Sequence, residues 1–175
     1  MDCSIKMKVQ VFMLRQDDPT KCTAAKLIKF GLATQIRRMT GNAMILDPFA
    51  AKSVLKTDMR IFDSITAVDC SWELIQKTFA RSFSGFSRKL PPLLAGNPVN
   101  YAKIGKLTTA EAIAATLFIM GFDEQAHAIL NKFKWGHTFF DLNQDLLKDY
   151  SNADTQEKTI QISYDYGMAW HLKLE

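Results

Sequence analysis

Few side chains in this sequence stand where a reaction could use them. Two aspartates, Asp47 and Asp69, each close a short apolar run, Ala43 to Leu46 and Ile65 to Val68. The second is followed at once by Cys70, Ser71 and Trp72. The eight glycines never form G-x-G or G-x-x-x-x-G-K, so the turns that cradle phosphates in dinucleotide and nucleoside-triphosphate sites are missing. No G-x-S-x-G elbow occurs, and His127, His137 and His171 lack paired metal-ligand spacing. The three cysteines, Cys3, Cys22 and Cys70, are odd in number and make no C-x-x-C pair, which argues against a disulfide framework or a zinc ribbon and suits a reducing compartment. Hydride transfer, ATP hydrolysis, serine hydrolysis and metal catalysis are therefore poor readings. What is left is a ligand held by loops.

Those loops need strands and helices to hold them. KVQVFML is rich in strand formers and ends at Asp17-Asp18-Pro19. Ala24, Leu27, Ile28 and Leu32 recur at helical spacing, with Thr23 in the cap position and Gly31 near the helix end. Ala43 to Leu46 and Ile65 to Val68 read as buried strands, and Trp72, Ile75 and Phe79 as a helix face capped by Ser71. A polar stretch, Arg81 to Lys89, leads to a last short strand, LPPLLA (Leu90 to Ala95), and to the irregular segment GNPVNYAKIGK. There Asn97, Pro98 and Asn100 read as loop-shaping residues. Thr108 and Glu111 form a capping box ahead of an apolar helix that Gly121 ends. Two further helices carry Ala126, Ile129, Leu130 and Phe133, then Leu142, Leu146, Leu147 and Tyr150. TIQISYDY fits an edge strand or an ordered tail.

The expected fold is α/β, a parallel sheet flanked by helices, with ligands beyond the carboxyl ends of its strands. One domain over residues 1–175 is expected: an α/β part at about 8–90, a helical part at about 91–150 and a polar tail at 151–175. Lys and Arg number 22 against 18 Asp and Glu, a net charge of +4 that mildly favours a polyanionic partner. The most apolar run, Ala112 to Phe122, is far shorter than the ~20 residues of a membrane span, and no signal peptide is evident, so a soluble, cytoplasmic chain is expected.

Five segments together are more specific than any of these features. DDPTKCTAAKL (Asp17 to Leu27), LDPFA (Leu46 to Ala50), VDCSW (Val68 to Trp72), LLAGNPVNYAKIGKLTTAEAIAA (Leu93 to Ala115) and FKWGHTFFDLN (Phe133 to Asn143) resemble, in the same order, the small-subunit rRNA aminocarboxypropyltransferases. The resemblance implies a SPOUT-like fold with a deep trefoil knot toward its carboxyl end. It also implies transfer of the 3-amino-3-carboxypropyl group of S-adenosylmethionine to the ring imide nitrogen of a methylpseudouridine, with methylthioadenosine released.

By that resemblance Thr23 binds the methionine carboxylate at a helix start, a geometry that suits an anion. Leu46 and Pro48 line the adenine, the Val68 carbonyl holds the ribose, backbone groups at Leu93 or Leu94 and at Thr108 read the adenine edge, and Ala112 packs beside it. Trp72 walls off the methyl, with ~1 kcal/mol of attraction between its ring and the sulfonium. Asp69 takes the imide proton or binds the amino group; its plain structural role is a helix cap. Thr23 alone reads as an ordinary cap, and the apolar members alone as core. Lys21, Lys26, Arg60, Lys103, Lys106 and Lys134 are the candidates for rRNA phosphates, where a solvated face is the ordinary alternative, and Tyr101 either stacks on a base or packs locally.

S-adenosylmethionine is thus the expected co-substrate, with no metal. Small-subunit rRNA or a pre-ribosomal particle is the expected partner, and a monomer the expected state. A SPOUT-type RNA methyltransferase and a non-catalytic rRNA-binding assembly factor are the competing readings.

Overall fold

The computed structural model describes residues 6–14, 22–39, 41–71, 74–79 and 86–168. Five strands, β1 (Lys8–Met13), β2 (Thr34–Ile36), β3 (Ala43–Leu46), β4 (Ser64–Asp69) and β5 (Phe86–Arg88), form one sheet in the order β2-β1-β4-β3-β5. Every pairing is parallel. A parallel sheet is covered on both faces, and consecutive residues of its central strands β1, β3 and β4 are accordingly buried rather than every second one. All four residues of β3 are buried, as are Val9 and Val11 of β1 and Ile65 and Ala67 of β4. Gln10 of β1 and Ser64, Thr66 and Asp69 of β4 are buried polar residues; Gln10 and Thr66 are register partners, and the Thr66 hydroxyl donates to Gln10 Oε1 at 3.1 Å.

Six α-helices and one 3-10 helix (Lys56–Arg60) complete the described elements: α1 (Thr23–Lys29), α2 (Ile75–Phe79), α3 (Thr109–Ile119), α4 (Asp123–Leu130), α5 (Gly136–Asn152) and α6 (Gln156–Asp165). The sequence of α3, TAEAIAATLFI, is apolar almost all round, which places a helix inside rather than on a surface. It packs on α4, α5, β4 and α1.

Side-chain amides fasten three helices to backbone that lies outside the strands. Gln125 of α4 accepts from Met7 N at 2.9 Å and donates to Met7 O at 2.7 Å. Asn143 of α5 does the same to Leu94, at 2.8 Å both ways. Gln156, at the start of α6, does it to Ser53, at 2.7 and 2.8 Å. Each carboxamide supplies the donor and acceptor that a neighbouring strand would have supplied.

Four expectations are corrected. Thr23 is not the cap of α1: Cys22 is, its Sγ accepting from Ala25 N at 3.3 Å. β2, at Thr34–Ile36, was not expected. The last strand is Phe86–Arg88 rather than Leu90 to Ala95, because Pro91 and Pro92 have no N–H to give a ladder. That apolar run is instead extended chain with a single bridge, Leu94 to Ile104. TIQISYDY lies mostly in α6, which buries Thr159 and Ser163 and leaves Ile160 and Tyr164 exposed.

Candidate active site at the carboxyl edge of the sheet

The connection leaving β1 leads to β2 on one side of the sheet, and that leaving β4 leads to β5 on the other. Adjacent strands whose connections diverge open a crevice at their carboxyl ends, where ligands of such sheets bind. Here the β1–β4 ladder runs to Met13↔Asp69 while the β3–β4 ladder stops at Leu46↔Ala67, so Val68 and Asp69 project past β3.

The starts of α1 and α3 meet at this edge. Asp69 is buried, its Oδ2 accepting from the Cys22 thiol at 3.2 Å and its Oδ1 from the Thr109 hydroxyl at 2.9 Å. The Thr23 hydroxyl accepts from Ala110 N at 3.2 Å, tying the first turn of α1 to that of α3. A carboxylate has about four acceptor positions, so two donors leave Asp69 with capacity for a cationic or N–H group. Cys22 holds its proton firmly, burial being the main cause and the Asp69 carboxylate adding to it, and its thiol is pushed up to about 11.

This last feature gives a pH dependence. The folded Cys22 thiol titrates near 11 and Tyr150, also raised chiefly by burial, near 12, against reference values of 9.0 and 10.0. Both raised values favour the native state fully below pH 9, and that advantage is lost as pH rises through about 9 to 12. Urea midpoints are expected to fall over this range, and Cys22→Ser, whose hydroxyl still donates to Asp69 without titrating, is expected to remove the part between 9 and 11.

The second wall is the segment from Leu93 to Thr108, and Glu111 holds it. This fully buried carboxylate accepts from Gly96 N at 2.7 Å and Asn97 N at 3.0 Å through Oε1. Through Oε2 it accepts from Asn97 Nδ2 at 2.8 Å, Thr108 N at 2.7 Å and the Thr108 hydroxyl at 2.9 Å. The capping box expected from Thr108 and Glu111 is present, and the same Glu111 also folds the loop back on the helix. Asn97 shapes the loop by accepting from Asn100 N and donating to Lys106 O. Gly96 has to be glycine for space, since a Cβ there would stand 2.5 Å from Phe139 N in the first turn of α5.

These bonds set what the expected cofactor residues can offer. Asn143 takes the Leu94 N–H and donates to the Leu94 carbonyl, which keeps one lone pair, while the Leu93 carbonyl accepts from Gly105 N at 2.9 Å. Thr108 N–H is used by Glu111, and its carbonyl accepts from Ala112 N, keeping one lone pair. Leu46 is buried and Pro48 half-buried, in a turn held by Phe49 N donating to Asp47 Oδ1 at 2.8 Å. Burial raises the Asp47 carboxyl above its usual range. Ala112 is half-buried in the first turn of α3. Trp72 and Lys21 lie outside the described residues.

The basic candidates divide. Lys103 and Lys106 are exposed on the loop, and Lys134 is exposed just before α5, the helix whose first turn receives Gly96. Lys26 is half-buried on α1. Arg60 is exposed three residues before Asp63, whose N–H bonds Asn42 at the amino edge of the sheet, so it lies toward the end opposite Asp69. Arg88, a basic residue near the same loops, is committed to buried Asp58 at 3.1 Å. Among the described residues no group of His, Cys, Asp and Glu could hold a metal ion, and no helix is long and apolar enough to cross a membrane.

Sequence reasoning passed over Cys22, Thr109 and Asn143. The first two had a signal, each being the immediate neighbour of a threonine already singled out. Asn143 had only its place at the end of the FKWGHTFFDLN segment, because its partner is 49 residues away.

Comparison with known proteins shows the family of the chain. Residues 44–167 match the family model described as ribosome biogenesis protein, C-terminal. A 16S rRNA aminocarboxypropyltransferase of Methanobrevibacter smithii is 42% identical over 167 residues, covering 91% of this chain and 97% of its own. The enzyme of that name from Sulfurisphaera tokodaii is 42% identical over 153 residues, with coverages of 86% and 90%. A solved structure, that of the SAM-dependent rRNA:acp-transferase Tsr3 from Vulcanisaeta distributa, matches with a TM-score of 0.83 at 33% identity over 94% of this chain and 95% of that one. With relatives this similar along nearly the whole length, the chain belongs to the 16S rRNA aminocarboxypropyltransferase family.

Proposed function

We propose that this chain transfers the 3-amino-3-carboxypropyl group of S-adenosylmethionine to the ring imide nitrogen of a methylpseudouridine in small-subunit rRNA, during ribosome biogenesis. The observation that carries this reading is the convergence of Asp69, Cys22, Thr23 and Thr109 at the sheet's carboxyl edge in a chain 42% identical to such enzymes. When bound, S-adenosylmethionine supplies an electrophilic carbon next to its sulfonium: the nitrogen–carbon bond forms, the carbon–sulfur bond breaks with its electrons going to sulfur, and methylthioadenosine leaves.

The donor set fits such a molecule. Thr23 and the first amides of α1 suit its carboxylate, and the open acceptor positions of Asp69 suit its amino group or the imide proton. Leu46 and Pro48 bracket the adenine, Ala112 packs beside it, and the Val68 carbonyl faces the ribose. With the Leu94 N–H taken by Asn143, Leu93 and the Leu94 and Thr108 carbonyls, each with a lone pair left, are the backbone groups for the adenine edge. Trp72 excludes the methyl from the substrate side. Because three carbons on sulfur could be attacked, selection rests on which one these walls expose, so alignment does more here than acid–base groups.

The same reading makes residues 91–150 a SPOUT-like knotted unit within a single domain; its support is the Leu93 to Thr108 segment fastened to α3 by Glu111 and to α5 by Asn143. Lys21, Lys26, Lys103, Lys106 and Lys134 face rRNA, Arg60 contributing only at the far end, and the protein works in the cytoplasm as a monomer. The test is to incubate the protein with S-adenosylmethionine and an rRNA fragment bearing methylpseudouridine, and to identify the nucleoside by-product by mass spectrometry. RNA-dependent methylthioadenosine is expected. S-adenosylhomocysteine would overturn the reading in favour of methyl transfer.

A further inference from the structure

The loop from Asn97 to Gly105 turns its polar backbone inward and its apolar side chains outward. Ala95 N donates to Lys103 O, Ala102 N to Ala95 O, Lys103 N to Asn100 O and Gly105 N to Leu93 O, at 2.7–3.0 Å. Ala102 is held at a φ of +58°, a left-handed conformation that costs a residue with a Cβ ~1 kcal/mol or more and persists only where the surroundings enforce it. The base of the loop is anchored by buried Glu111 and Asn97. At its tip Val99 is 84% exposed, Tyr101 57% and Ile104 46%. From Pro98 to Leu107 there are two lysines and no acidic residue.

A rigid hairpin that spends strain to hold an aromatic ring in water, flanked by exposed cationic side chains, has the properties of a base-stacking platform. We infer that this loop docks single-stranded rRNA next to the modified nucleotide, with Tyr101 stacked on a neighbouring base, Val99 and Ile104 lining its edges and Lys103 on the phosphate backbone. This rests on the functional reading above and adds the part of the protein that receives the RNA strand. Charge decides the occupant: a polyanion with exposed π-faces satisfies both the ring and the lysines, whereas a second copy of a chain with net charge +4 would bring lysine against lysine. Because the loop is ordered before the RNA arrives, little conformational freedom is lost on binding.

The experiment uses the full chain and a fluorescein-labelled rRNA hairpin with methylpseudouridine in its loop. RNA affinity is read by anisotropy, S-adenosylmethionine affinity by calorimetry, and association by sedimentation. Tyr101→Ala is expected to weaken RNA binding by about tenfold to a hundredfold, with Tyr101→Phe restoring it and with S-adenosylmethionine affinity and urea midpoint unchanged. Lys103→Ala is expected to lower the slope of log affinity against log salt by about 0.7, a change Tyr101→Ala does not make. Wild-type RNA affinity in Tyr101→Ala overturns the proposal. So does a wild-type dimer that Val99→Ser dissociates, which would assign the face to a second copy. A wild type that binds S-adenosylmethionine but not the hairpin also overturns it, while one that binds neither removes the functional reading as well.

Discussion

Glu111→Gln is expected to lower stability by at least ~3 kcal/mol and the melting temperature by roughly 6–12 °C, read from urea and thermal unfolding. The carboxylate is fully buried and accepts from five donors, two on Oε1 and three on Oε2. Glutamine must turn its NH2 toward one of these groups. Facing the first, it sets donor against the Gly96 and Asn97 amides; facing the second, against Thr108 N and Asn97 Nδ2. Each backbone amide left unbonded costs ~1–3 kcal/mol. The loop from Gly96 to Thr108 is released at the same time, so weaker S-adenosylmethionine binding should accompany the loss, measured by calorimetry below the unfolding range. A variant as stable as wild type would show that water or a loop shift replaces these bonds.

Asp69→Asn is expected to behave in the opposite way, keeping the fold and losing the reaction. The Thr109 hydroxyl can rotate to accept from the new amide, and the remaining amide oxygen can still accept from the Cys22 thiol. What disappears is the negative charge at the crevice. Methylthioadenosine release is expected to fall by at least ~100-fold at saturating substrates, the loss typical of a positioned proton acceptor. The pH profile then separates the two roles of Asp69. Activity that recovers at high pH, where the imide ionises unaided, marks proton removal; loss confined to S-adenosylmethionine affinity marks capture of the amino group.

How far the sequence spoke for itself depended on what each residue answers to. β1 is legible because Val9, Val11 and Met13 alternate in a run of strand formers, β3 and β4 because Ala43 to Leu46 and Ile65 to Val68 are short apolar runs, and α3 because its cap and apolar content agree. β2 and β5 are three residues long, too short for any period to register. LPPLLA looks like a strand by its apolar content, yet Pro91 and Pro92 have no N–H to give a ladder. α6 misled more deeply: its apolar residues alternate like a strand, yet the ones it buries best are Thr159 and Ser163, whose hydroxyls bond carbonyls one turn back. At the site, Asp69 and Thr23 came from position and from resemblance. The contacts to Cys22 and Thr109 that hold Asp69 are made across 47 and 40 residues, and no local pattern encodes them.

The three carboxamide contacts have a consequence for exchange with solvent deuterium. Met7, Ser53 and Leu94 lie outside the strands, where amides ordinarily exchange quickly, yet each N–H is bonded to a helix side chain at 2.7–2.9 Å. Each can exchange only when its helix lifts. The Met7 amide therefore reports the opening of α4, Leu94 that of α5 and Ser53 that of α6, three isolated signals that would resolve whether this helical layer comes off the sheet as one cooperative unit or helix by helix.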